Sequence, residues 1–104
     1  MIITISTDFS DTPGARYKSE GKFSGEEFRE TLLVPKFCEA VESGKKLTIN
    51  LDGSYGYPTS FLEEAFGGLS RIYGAKAVLK ILEFISHDEP SLVQEILGYI
   101  QAQK

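Results

Sequence analysis

Apolar and polar positions along the chain follow two rhythms, one of strands and one of helices. Ile2, Ile3 and Ile5 alternate loosely with Thr4, Ser6 and Thr7. β-Branched residues favour a pleated backbone, so the pattern predicts a strand over residues 2–7. A turn-rich loop, 8–14, follows. The weakly patterned stretch 15–21 reads as a short strand that could pair with the first as a hairpin. Ser24-Gly25-Glu26-Glu27 has the form of a capping box, with Phe23 and Phe28 spaced for a hydrophobic staple. Phe28, Leu32, Leu33, Phe37, Ala40 and Val41 then recur at helical spacing. Pro35 removes a hydrogen bond and crowds the preceding turn, predicting a kink or break near Leu33-Val34. Gly44 is suited to end this helix.

The second half repeats the alternation. Leu47, Ile49 and Leu51 against Thr48 and Asn50 predict a strand over 46–51. Residues 52–58 form a glycine-bearing loop. Ser60 and Glu63 have the spacing of a second capping box, opening a helix that buries Leu62, Ala65, Phe66, Leu69 and Tyr73 and stops at Gly74. Gly67-Gly68 lies inside that helix. Each glycine costs about 1 kcal/mol there relative to alanine, which predicts the close approach of another backbone. Residues 77–85 are nearly all apolar, as in a strand covered on both faces. Asp88 is placed to cap a last helix with Pro90 in its first turn and Leu92, Val93, Ile96, Leu97 and Ile100 on its stripe. Strands alternating with helices imply right-handed crossovers. The expected architecture is α/β: a mixed, mostly parallel sheet of about four strands with helices packed against it.

Composition narrows the class. The 104 residues suit one domain, 1–104, able to bury a core without staples. The single cysteine, Cys38, rules out an internal disulfide framework and fits a reducing cytoplasm. With His87 the sole histidine, a metal site is not expected. A net charge of -4 argues against a nucleic-acid surface. No apolar run is long enough to span a membrane, and the N-terminus lacks the form of a signal peptide.

The stretch 46–73 carries the candidate chemistry. Thr59 and Ser60 are hydroxyls at a predicted helix N-terminus beyond the end of a strand, where α/β folds place ligands and where amides favour an anion. Capping alone accounts for Ser60. The loop 53–60 lacks the Gly-Lys-Ser/Thr ending of a phosphate loop. Glu63 and Glu64, adjacent on a helix, point about 100° apart and make no acid–base pair; one is expected to face solvent and the other to support the loop. Cys38 reads as a buried, inert thiol and His87 as a loop residue. Tyr55 and Tyr57 flank Gly56, either as exposed recognition residues or folded over the strand end. No catalytic set appears, and no cofactor is implied.

Several segments together resemble one family. They are Ser24-Gly25-Glu26-Glu27-Phe28-Arg29-Glu30, the Leu32-Leu33-x-Pro35 helix, Leu51-Asp52-Gly53, and Ser60-Phe61-Leu62-Glu63-Glu64-Ala65-Phe66-Gly67-Gly68-Leu69. This pattern resembles the STAS-like domain of unknown function, DUF4325, and through it the STAS domains of bacterial anti-anti-sigma factors. Those domains carry a regulatory hydroxyl in an Asp-Ser-Ser/Thr-Gly segment after a strand. Pro58-Thr59-Ser60-Phe61 is the matching segment here, with Thr59 on the phosphorylated position, Pro58 in place of the Asp and Phe61 in place of the Gly.

The resemblance implies a cytoplasmic, non-enzymatic regulatory module whose protein partner is a histidine-kinase-like (GHKL) ATPase. Phosphorylation would fall on Thr59 or Ser60. Asp52, Gly53, Tyr55, Gly56, Tyr57, Glu63 and Glu64 would supply the contact surface. The alternative is a small ligand-binding domain or enzyme using a pocket over the 53–60 loop. Self-association as a homodimer is left open by the sequence.

Overall fold

Three parallel strands form the centre, in the order β1 (Ile2–Thr4), β2 (Leu47–Asn50) and β3 (Leu82–Ile85). A computed structural model describes residues 1–103. The register pairs Ile3 with Ile49 and Ile49 with Phe84, and Leu47 with Leu82. These side chains share the face that packs on the helices. Alternate positions, Ile2, Thr48 and Glu83, line the opposite face, which is partly open to solvent. The strict apolar–polar alternation of β2 is the cause: its buried residues are Leu47 and Ile49, its half-buried ones Thr48 and Asn50.

The helices are α1 (Ile5–Asp8), α2 (25–43), α3 (59–73), α4 (Ala75–Ile81) and α5 (Ser91–Gln101). Right-handed crossovers place α2 and α3 on the same side of a sheet ordered 1-2-3. Gly25 lets them touch: a Cβ there would lie 2.5 Å from the Phe61 carbonyl oxygen. Phe28, Phe61 and Phe66 fill the space between them, with ring centroids 5.7 and 6.1 Å from Phe28. Phe66 meets Phe84 of β3 edge-on at 5.7 Å. On the other side of α3, Ser70 donates to the Ile100 carbonyl at 2.8 Å and seats α5.

The structure corrects several expectations. Among the described residues there are three strands and the sheet is wholly parallel; residues 15–21 hold a single 3₁₀ turn, Lys18–Glu20, and no hairpin. The first strand stops at Thr4 because the Asp8 carboxylate accepts the Thr4 amide at 2.8 Å, which folds Ile5–Asp8 into a helical turn. The apolar run 77–85 divides between α4 and β3. Lys76 and Lys80, four apart, both reach solvent from one face of α4 while Val78 is buried; a short apolar run does not separate helix from strand by periodicity.

Pro35 does not break α2. Residues Arg29–Leu33 form a π-turn, in which the Val34 amide donates to the Arg29 carbonyl five residues back. The wider turn makes room for the proline ring, and the helix runs on to Gly44, at φ 65°. A second π-turn, Glu63–Gly67, lies in α3.

Ser24 caps α2, accepting from the Glu27 amide at 3.0 Å. The expected staple is bridged by a third ring: Phe9 sits 5.7 Å from Phe23 and 5.3 Å from Phe28. The caps expected at Ser60 and Asp88 do not form. Pro58 and Pro90 occupy those N-cap positions, and neither helix start has a side-chain cap. The glycine pair also differs from expectation. A Cβ on Gly68 would lie 2.5 Å from an Arg29 guanidinium nitrogen and one on Gly67 would lie 2.7 Å from the Glu63 carboxylate, so both make room for side chains.

Candidate functional site

All three strands end on the same edge of the sheet, and the loop 51–58 is built across it. Asp52 ties the loop to the segment after β3: its Oδ1 accepts the His87 and Asp88 amides at 2.8 and 2.9 Å. Asp88 reciprocates, accepting the Gly53 amide at 3.0 Å through Oδ2. Ser6 donates to the Asp52 carbonyl at 3.1 Å, joining α1, the turn that follows β1, to the same knot. Gly53 stands at φ 90°, where a Cβ would lie 2.9 Å from the Ser6 hydroxyl. Ser54 and the Tyr55 amide both donate to the Asp11 carbonyl, at 3.1 and 2.9 Å.

The two tyrosines divide between the roles left open for them. Tyr57 folds inward, donating to the Leu51 carbonyl at 2.8 Å with its ring 6.2 Å from Phe61. Burial pushes its pKa up to about 12; Ser54 acts against the shift, and the charges of Asp52 and Asp88 add to it. The phenol therefore remains a donor across the working range of pH. Tyr55 projects into solvent, 86% exposed. Gly56, at φ 150°, has open space where a side chain would stand. Between this loop and residues 86–92 is a cleft of about 100 Å³ lined by Leu51, Ser54, Tyr57, Ser86 and Asp88.

Thr59 is the first residue of α3 and is exposed; Ser60, next to it, is half-buried. The Thr59 hydroxyl lies beside that of Tyr99, which donates to Glu95 at 2.8 Å. Burial and the Glu95 carboxylate raise the Tyr99 phenol above its ordinary pKa.

Glu63 and Glu64 belong to a different constellation. Glu64 is buried, accepting from Arg29 at 2.6 Å, while Arg16 and Arg71 approach its other oxygen at 3.4 and 3.5 Å. Glu63 binds Arg16 through one oxygen, and Arg71 (2.7 Å) and Gln103 (3.1 Å) through the other. The two carboxylates thus join α3, the end of α5 and the segment before α2, and neither supports the 52–58 loop. Sequence reasoning missed the three arginines. Gly67-Gly68 was the available signal for one of them, since it marks the space that Arg29 and Glu63 occupy.

Burial works against ionising Glu63, but hydrogen bonds from Arg71 and Arg16 overcome it and hold the group below its ordinary value of 4.5. A carboxylate depressed in the folded state adds stability above its unfolded pKa and loses it as pH falls through the folded one. The expected urea midpoint is therefore level between about pH 7 and pH 5 and falls below about pH 4.5, with a shallower fall in Arg71→Ala. An acid limb as steep in the variant as in the parent would disprove this origin.

Cys38 is half-buried, with Sγ 3.2 Å from the Tyr73 hydroxyl. That contact, followed by burial, raises the Tyr73 pKa. Among the described residues no three His, Cys, Asp or Glu side chains gather as a metal would need. No described helix is long and apolar enough to cross a membrane.

Fold and site together define a small α/β domain: a parallel sheet with a knotted loop on its carboxyl edge and an exposed hydroxyl at the start of the helix behind it. A family model described as "STAS-like domain of unknown function (DUF4325)" matches residues 24–92. The chain belongs to that family. The matched span holds α2, β2, the 51–58 loop with Asp88, all of α3 and β3. No curated protein and no solved structure matches the chain.

Proposed function

We propose that the domain is a regulatory protein-binding module. It meets a GHKL-type ATPase through Tyr55 and the start of α3, and phosphorylation of Thr59 controls the contact. The observation that carries the reading is Thr59 itself. It is exposed at a helix start, on a fifteen-residue helix whose N-cap position is held by Pro58, so capping does not require its hydroxyl. A phosphate there would add about -1.5 to -2 charges beside the positive end of the helix. Glu63, one turn on, would oppose it. The rigid loop anchored by Asp52 and Asp88 holds Tyr55 out as a preformed contact. Gly53 and Gly56 shape that loop, and Ser60 is the secondary acceptor.

The ligand-binding alternative has less support. The loop cleft of about 100 Å³ falls below the roughly 300–1,000 Å³ of small-molecule sites. The test is incubation with the GHKL-type ATPase encoded nearest to it and ATP, read by intact-mass spectrometry and gel filtration. The expected result is one added phosphate, absent in Thr59→Ala and retained in Ser60→Ala, with a complex that phosphorylation weakens. Absence of both the phosphate and the complex would overturn the reading.

A further inference from the structure

The amino edge of the sheet, opposite the Thr59 loop, carries a second surface. A groove runs between the last turns of α2 and helix α4. One lobe, of about 570 Å³, lies among Val41, Gly44, Ala77 and Ile81. The other, of about 290 Å³, continues past Val41 and Ala77 to Phe37, Cys38 and Tyr73. Val41 is 51% exposed, an apolar side chain left standing in water at the centre of the floor.

Charge gives the groove a direction. Lys45, Lys46 and Lys80 line the first lobe. Among the described residues no carboxylate lies within ion-pair distance of any of the three, although every arginine is paired with a glutamate. Lys46 reaches only the Lys80 carbonyl, at 3.2 Å. On a chain of net charge -4, these free cations concentrate at one end of an apolar trough. Glu42 lines the second lobe, which no lysine lines.

We propose that this groove docks an amphipathic helix of a partner protein, with acidic residues at one end of its apolar stripe. A helix presents apolar side chains at i, i+3, i+4 and i+7, the form a trough between two helices accepts. It can also carry acid at one end alone, which satisfies the lysines without setting a carboxylate against Glu42. A bilayer surface is uniformly anionic and would meet both ends with the same sign. Complementary charge of this kind sets orientation and association rate more than affinity. The surface is separate from the Thr59 edge, so either reading can fail without the other.

The test titrates the isotopically labelled full chain with two synthetic helical peptides of about 16 residues, roughly 24 Å long. Both carry a leucine stripe; one bears glutamates at one end, and in the other lysines replace them. Amide shifts are expected to cluster around Val41 and Ala77. The acidic peptide should saturate with a Kd on the order of 10–100 μM, and the lysine peptide should bind at least about tenfold more weakly. Val41→Glu should weaken the acidic peptide about tenfold. The double variant Lys45→Glu/Lys80→Glu should reverse the preference, and Thr59→Ala should change nothing. Circular dichroism confirms that each variant folds. No saturation, equal binding of both peptides, or shifts elsewhere would overturn the proposal. So would binding of phosphatidylglycerol vesicles in place of the acidic peptide, which would assign the groove to a lipid surface.

Discussion

Glu64→Ala is expected to lose about 3–4 kcal/mol of unfolding free energy. Its side chain is 9% exposed and that of Arg29 is 13% exposed, so the pair is held away from water. Removing one member of a buried pair leaves the other charged and uncompensated, which costs far more than the pair contributes. Arg29 would keep only its bond to the Glu64 carbonyl, at 2.8 Å. Arg16 would keep Glu63, and Arg71 would keep Glu63 and Gln103. Against a total stability of roughly 5–15 kcal/mol, the loss would remove from about a fifth to most of it. Urea titration followed by circular dichroism measures it. Replacing the two together, as Arg29→Met/Glu64→Leu, should recover most of the loss, because an apolar pair of similar volume needs no compensation. A single-variant loss under about 1 kcal/mol would show that water enters the site and solvates Arg29.

Gly25→Ala is expected to be the second large effect, about 2–3 kcal/mol. The added carbon would lie 2.5 Å from the Phe61 carbonyl oxygen and 3.1 Å from Glu64 Cβ, so α2 and α3 must separate. Their shared core of Phe28, Phe61 and Phe66 would open with them. Gly98→Ala provides the contrast. Gly98 is exposed within α5 with nothing within 4 Å of its added carbon, and the change should stabilise by about 0.5–1 kcal/mol through helix propensity. Thermal melts of the two variants should move in opposite directions, by about 4–8 °C per kcal/mol. A neutral Gly25→Ala would mean that the helices do not meet at that distance.

What could be read from the sequence depended on the range of the interactions. β2 was legible because Leu47, Thr48, Ile49 and Asn50 alternate without interruption. The Ser24 cap and the Gly44 stop were legible because their partners lie within a few residues. The split of 77–85 was not, since α4 turns to strand at Leu82 inside one apolar run. Ser60 and Asp88 had the right identity for caps, but the chain enters each helix one residue before or several after, at Thr59 and Ser91. Asp88 is drawn instead into a knot with Asp52 and Gly53, thirty-six and thirty-five residues away in sequence. The glutamate–arginine cluster spans Arg16 to Gln103, and no local spacing announces a contact of that length. The exposed Thr59 emerged from the family pattern together with its strand-to-helix position. Tyr55 and Tyr57 were equivalent by type, and the geometry of the loop separated them.

Each π-turn holds one residue more than the α-helical turn it replaces. Arg29 opens the π-turn of α2 and Glu64 lies second in that of α3, so the ion cluster joins the two expanded turns. Deleting one residue from 63–67 would restore regular α-helical bonding and leave α3 one residue shorter. The wide turn already absorbs the extra residue, so the segments on either side would keep their mutual orientation. With Ser70 still holding α5 through the Ile100 carbonyl, Thr59 would stay at the carboxyl edge. The change would fall on Glu63 and Glu64, which sit in the expanded turn and meet the three arginines from it. The π-turn of α3 thus aims the two carboxylates and leaves the hydroxyl at the helix start where it is.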